Sequence, residues 1–143
     1  MLIETILKTK GHDVATLRPE QAVSAAVALM AERRIGAVVI ADRGTVVGIF
    51  SERDLVKVLA RDGHVALDRA VQTSMTSPVV TCRAEDRLDQ VMAMMTQRHI
   101  RHMPVMDGTS LKGMISIRDL VRHRLEEKEL EAAILLDISR MHG

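Results

Sequence analysis

Apolar positions along this chain change period in a fixed order, and the order occurs twice. Leu2 to Leu7 carries a short amphipathic pattern that predicts a helix, followed by the polar, glycine-containing connection Lys8 to Asp13. Val14 to Leu17 reads as a short extended piece. Pro19 and Glu20 suit a first helical turn, and Val23, Ala26, Val27 and Met30 then recur at helical spacing. Ala37 to Ile40 and Val46 to Phe50 are β-rich runs separated by Asp42, Arg43 and Gly44, which is hairpin chemistry. A second helix is predicted from Glu52 to Arg61.

The same series follows 65 residues later. Val79 to Cys82 is extended, and Leu88, Val91, Met92 and Met95 form the helical stripe. His102 to Val105 and Leu111 to Ile115 flank the turn Asp107-Gly108-Thr109, and a helix begins near Ile117. Residues 14–56 align with their later counterparts without a gap: Met30 on Met95, Arg33 on Arg98, Ile35 on Ile100, Asp42 on Asp107 and Gly48 on Gly113. A period this long with only two copies excludes a solenoid of many units and predicts two similar halves packed about a pseudo-two-fold axis. Each half is strand, helix, strand, strand, helix, giving an α/β (α+β) fold of two βαββα units. Boundaries are expected at 1–64 for the first repeat with its N-terminal helix, 65–125 for the second, and 126–143 for a helical extension. Ala66 to Met75 is the expected counterpart of the Leu2 to Leu7 helix. The extension runs to about Ile138 with Leu125, Leu130, Ile134 and Ile138 as apolar positions, and either packs back on the domain or serves a partner.

Composition narrows the function. At 143 residues and 47% hydrophobic, the chain can bury roughly two-thirds of its unfolded surface. Twenty basic residues against 19 acidic ones give a net charge of +1, and Phe50 is the only aromatic residue. Neither an electrostatic footprint nor a stacking platform for nucleic acid is present, and anionic membrane is not favoured either. No apolar run reaches membrane-spanning length, and the short, charged N-terminus is unlike a signal peptide. Cys82 stands alone, which excludes an intramolecular disulfide and fits a reducing compartment. These features point to a soluble, cytoplasmic protein. The methionines of the second stripe are read as core filler. His99 and His102 lack a third metal ligand, and a Ser/His/Asp triad would lack a nucleophile elbow.

The informative stretch is the handover from hairpin to second helix: Ser51-Glu52-Arg53-Asp54 and Ser116-Ile117-Arg118-Asp119. Ser-x-x-Asp is first of all a capping box. A strand end beside a helix N-terminus also favours anions. A carboxylate there can accept two hydrogen bonds from a vicinal diol, and the neighbouring Arg can hold phosphate. Diol plus phosphate describes ribose phosphate.

With the Gly-x-x-Ser-x-Arg-Asp-Leu-Val stretches, Ile35 to Val39 and Ile100 to Val105, nearly the whole chain resembles a tandem pair of CBS domains, a Bateman module. The resemblance implies a non-catalytic sensor whose clefts bind AMP, ADP, ATP, S-adenosyl methionine or NAD, with no catalytic cofactor. It implies crossed sites. One joins Ser116, Arg118 and Asp119 to Thr16, Ile35, Gly36, Ala37 and Val38. The other joins Ser51, Arg53 and Asp54 to Thr81, Ile100, Arg101, His102, Met103 and Pro104. Ile49 and Met114 would wall the adenine. Arg101 and His102 are expected to make the second cleft the basic one, against Gly36 and Ala37 in the first. Relatives of this kind pair into flat dimers, so a homodimer and a downstream protein target are implied. The rival expectations are a structural dimerisation protein with vestigial clefts, and a nucleotide hydrolase.

Overall fold

A computed structural model describes residues 1–142, so Gly143, the last residue of the expected extension, lies outside the described residues. In the first half, β1 (Thr16–Leu17) lies parallel to β2 (Ala37–Asp42), which pairs antiparallel with β3 (Thr45–Ser51). Helix α2 (Val23–Arg33) covers this sheet and α3 (Glu52–Asp62) follows it. The continuous run Ala37-Val38-Val39-Ile40 has a physical reason: both faces of β2 are covered. Val38 and Ile40 join Val23, Ala26, Met30 and Phe50 in the core of the first half. Ala37 and Val39 point the other way and meet Met114 between the halves.

The second half repeats these boundaries residue for residue, in α4 (Leu88–Arg98), β4 (His102–Asp107), β5 (Ser110–Ser116) and the start of α5 (Ile117–His142). Even the irregularities recur. The hairpin register shifts at Ile40/Ala41 and again at Val105/Met106, and α2 and α4 end on left-handed residues, Arg34 and His99. Only β1 is weakened in the second half, to a single parallel bridge between Cys82 and Val105.

Two expectations need correction. Pro19 and Glu20 do not open α2; they form a turn, and the helix begins at Val23. The carbonyls of Pro19 and Gln21 are taken by the amides of Gln72 and Val71, so this segment pairs with the linker. Ala66 to Met75 is not an α-helix but two 3-10 turns, Gly63–Asp68 and Val71–Thr73.

The linker nonetheless does for the first half what the N-terminus does for the second. Helix α1 (Ile3–Lys10) does not pack on the half that follows it in sequence. Ile3, Ile6 and Leu7 are buried with Leu88, Val91, Met95, Met103 and Ile115 of the second half. The amides of Ile3 and Glu4 donate to the carbonyls of Asp86 and Ala84. Val71, 68 residues after Ile3, enters the core of the first half in the matching way. Two glycines make room for this. A Cβ on Gly113 would lie 2.6 Å from Leu7 Cδ2, and one on Gly48 would lie 2.3 Å from Met75 Sδ.

Past His123, α5 buries nothing among the described residues. Leu130 is 62% exposed and Met141 82%. The helix therefore projects rather than folding back. It is not long and apolar enough to cross a membrane, and neither is any other described helix.

Candidate functional site

Both Ser-x-x-Asp stretches form the caps their spacing predicts. The Ser116 amide donates to Asp119 Oδ2 at 2.9 Å and the Asp119 amide to Ser116 Oγ at 3.1 Å. Ser51 and Asp54 repeat this at 2.9 and 3.3 Å. A carboxylate offers about four lone-pair sites, so capping leaves capacity on each. What fills it differs between the halves.

Asp119 is 6% exposed and borders a cavity of about 750 Å³. Lys10, at the end of α1, reaches across: its Nζ donates to Asp119 Oδ2 at 2.5 Å and to the Met114 carbonyl at 2.8 Å. Arg122 approaches Oδ1 at 3.3 Å. Burial pushes the Asp119 carboxyl upward, but the bonds from Lys10 and Ser116 outweigh it and hold the group below the usual carboxylate range. Asp54 meets no lysine. Thr76 of the linker donates its hydroxyl to Asp54 Oδ1 at 2.9 Å and pairs its backbone with Ile49 in both directions. Arg53 is tied to the His99 carbonyl.

The Asp119 cavity brings together Ser116, Arg118, Asp119 and Met114 from the second half with Ile35, Gly36 and Ala37 from the first, as the crossed-site expectation has it. Thr16 and Val38 do not line it. Thr16 is exposed, and Val14 and Ala15 line the wall there. Strand alternation turns Val38 into the core of the first half while Ala37 faces the cavity.

The larger correction concerns Arg101 and His102. They line the Asp119 cavity beside Gly36, whereas they were expected in the cleft around Asp54. Gly36 and Ala37 are the counterparts of Arg101 and His102, so these residues meet where the pseudo-two-fold axis passes. The fit at Gly36 is tight: a Cβ there would lie 3.0 Å from both Cε1 and Nε2 of His102, so the imidazole would have to give way. His102 also brings less charge than expected. Burial and the neighbouring Lys10 and Arg101 hold its imidazole below its ordinary value, against Glu52 and Asp119. The other residues expected in the second cleft differ in their surroundings. Met103 is wholly buried in the core of the second half, and Ile100 packs against it. Pro104 is buried with its carbonyl bonded to the Cys82 amide, and Thr81 is exposed. Ser51, Arg53 and Asp54 stay together beside Ile49 and Thr76.

Lys10, Asp13, Arg34 and Glu52 line the Asp119 cavity without having been predicted. Arg34 ends α2 in the left-handed conformation that its counterpart His99 shares, but the sequence carried no sign of this. Lys10 had none, because it lies in a polar stretch outside the aligned repeat. Cys82 is buried in the core, and burial, with Asp86 nearby, pushes its thiol up to about 12, so no thiolate is available. Among the described residues, no three His, Cys, Asp or Glu side chains gather to hold a metal ion. What the cavity offers is a buried acceptor, converging cations and aliphatic walls, an arrangement suited to binding.

Residues 6–61 and 69–126 each match the profile of the CBS domain. The chain belongs to the CBS-domain family. It is 41% identical to a CBS-domain containing protein from Agrobacterium tumefaciens, with a TM-score of 0.84 over 87% of this chain and 99% of that one. A protein with CBS domains from Burkholderia ambifaria MC40-6, described as a candidate in signal transduction, is 35% identical, with a TM-score of 0.82 over 88% of this chain and 95% of that one. The fold is also shared, at 23% identity and a TM-score of 0.79 over 89% of this chain and 98% of the other, with a CBS domain pair solved in complex with 5′-methylthioadenosine and S-adenosyl-L-methionine.

Proposed function

We propose that this chain is a non-catalytic sensor that binds one adenosine-containing ligand, an adenine nucleotide such as AMP, ADP, ATP or NAD, in the cavity beside Asp119. One observation carries the reading: residues of both repeats converge on a cavity of about 750 Å³ around a buried carboxylate. That volume lies in the range of small-molecule sites, roughly 300–1,000 Å³. Asp119 accepts the ribose hydroxyls, and Arg34, Arg101 and Arg118 supply charge for phosphate. Met114, Val14, Ala37 and Ile35 enclose the base without an aromatic ring, so its burial contributes through area alone. Support for the ligand class comes from a pair of the same fold that holds two adenosine compounds.

One ligand per chain follows from the difference between the halves. Asp54 already accepts from Thr76 on one oxygen and from Ser51 on the other. Asp119 instead borders the cavity, and its partners beyond the cap, Lys10 and Arg122, are long side chains that can swing aside.

Output passes through a second copy of the chain. Val56 on α3 and Val121 on α5 are exposed counterparts, 65 residues apart, joined by Leu59 and Leu125. Matching apolar patches on pseudo-symmetric helices suit an isologous two-fold interface. A ligand shifts such an assembly only through different affinities for its two states.

Thermal melting with AMP, ATP, NAD and S-adenosyl methionine tests the reading. A ligand at a hundred times its dissociation constant stabilises the fold by roughly 2.7 kcal/mol. Native mass spectrometry would count one ligand per chain. No shift with any of the four sinks the sensor reading and leaves a purely structural dimerisation module.

A further inference from the structure

Lys10 occupies an unusual position. It comes from α1, which is fastened to the second half through the buried Ile3, Ile6 and Leu7. The helix stops at Gly11, whose amide donates to the Leu7 carbonyl at 2.7 Å. The base of the lysine is thus fixed, while its side chain keeps 31% of its exposure at the cavity wall. Its ammonium has three donors. Two are used, on the Met114 carbonyl and Asp119 Oδ2, and the third is left for the cavity.

The Lys10 contact competes with the ligand chemistry proposed above. Asp119 Oδ2 already accepts from the Ser116 amide and from Lys10, and Oδ1 from Arg122. A cis-diol binding through both carboxylate oxygens needs a lone pair on each. At Oδ2 the removable partner is Lys10, since the Ser116 amide belongs to the helix cap. A displaced ammonium in a cavity wall needs a new anion, and phosphate joined to the ribose would bring one.

We propose that Lys10 is the specificity-determining residue of this cleft: its ammonium covers Asp119 until a cis-diol displaces it, then pairs with the ligand's phosphate, so that a nucleotide is selected over its neutral nucleoside. The inference rests on the adenosine-ligand reading and goes beyond it. Arg34, Arg101 and Arg118 attract phosphate without touching Asp119, so they add affinity but are not tied to the diol. Lys10 alone joins recognition of the two ends. A neutral nucleoside must strip Lys10 from Asp119 and offers it nothing in return.

The two roles have opposite signs when the charge is removed. Calorimetric titration of AMP and adenosine into the unsubstituted chain, Lys10→Met, Lys10→Gln and Lys10→Arg reads them separately. The unsubstituted chain is expected to prefer AMP by about tenfold or more, the scale of one charge-assisted hydrogen bond. Lys10→Met lowers AMP affinity by about tenfold or more and leaves adenosine binding equal or tighter. Lys10→Gln does the same, which keeps the test open if one neutral variant folds poorly. Lys10→Arg restores the preference for AMP. Equal weakening of both compounds, or unchanged AMP binding, overturns the role of Lys10 and leaves the adenosine reading intact. Binding of S-adenosyl methionine with neither AMP nor adenosine does likewise. Binding of none of these three, nor of ATP or NAD, overturns both.

Discussion

Asp54 and Asp119 are the same residue in two copies, and their neighbours give them different work. Each caps its helix through the preceding serine. Asp54 is closed by the Thr76 hydroxyl, whereas Asp119 is covered by a lysine that can move. Asp119→Asn is therefore expected to cut affinity for the bound nucleotide by roughly ten- to a hundredfold in calorimetry. Asp54→Asn should leave it within about twofold of the unsubstituted chain, since the scatter of distant substitutions is small. The asparagine amide oxygen can still accept the N–H of the N-cap serine, so both variants should fold.

His102 links the same cavity to pH. Its imidazole is held below the ordinary value of 6.5, first by burial and then by Lys10 and Arg101. As pH falls through that value, the unfolded chain takes up a proton that the folded chain refuses, and stability falls with it. Asp119 acts lower. Its depressed carboxyl contributes stability above the ordinary value of 3.8, lost as pH falls through its folded value. The melting temperature should decline between pH 7 and 5.5, and His102→Gln should flatten that decline. An unchanged slope in the variant would remove His102 from this account.

At the scale of elements, the repeat made nearly everything legible. Strand and helix limits, both hairpin irregularities and both left-handed caps recur at one offset. A pattern seen twice constrains each reading of it. The failures fall where the repeat stops helping. Leu2, Ile3, Ile6 and Leu7 announce an apolar face in search of cover, but amphipathicity does not say which half supplies it. Lys10 had no aligned counterpart to mark it. Arg101 and His102 were assigned by symmetry to one cleft, yet residues near a symmetry axis border both sides of it. The projecting part of α5 was readable as helix, but not as uncovered, because exposed and covered stripes share one period. The output helices yield a direct test. Val121→Asp with Leu125→Asp, both on exposed positions, should turn a dimer into a monomer in light scattering. The variant should keep its helical circular dichroism, since neither side chain lies in a core.

For the whole molecule, the decisive feature is the exchange of leading segments. The N-terminal helix completes the second half and the linker completes the first. The first half closes its core with the linker that follows it, from Ala15 to Met75, but the second half cannot close its own without α1, which lies beyond the whole first half in sequence, so the two should melt as one unit. Ile6→Ala removes a fully buried side chain from the second half. A loss of about 2–5 kcal/mol is expected in denaturant melts. Tryptophan-free probes such as hydrogen exchange should show slowed protection lost in both halves together. Loss confined to β4 and β5 would mean that the halves are independent.

The same exchange sets a timetable for synthesis. Ile3 leaves the ribosome before its backbone partner Asp86, which follows 83 residues later. At roughly 5–20 residues per second, that interval lasts several seconds. Throughout it, an apolar helix waits in solvent beside a first half that cannot accept it. A segment made ahead of the first half is buried only after it, so the nascent chain presents a sticky helix to any chaperone at the exit tunnel before its second half is complete.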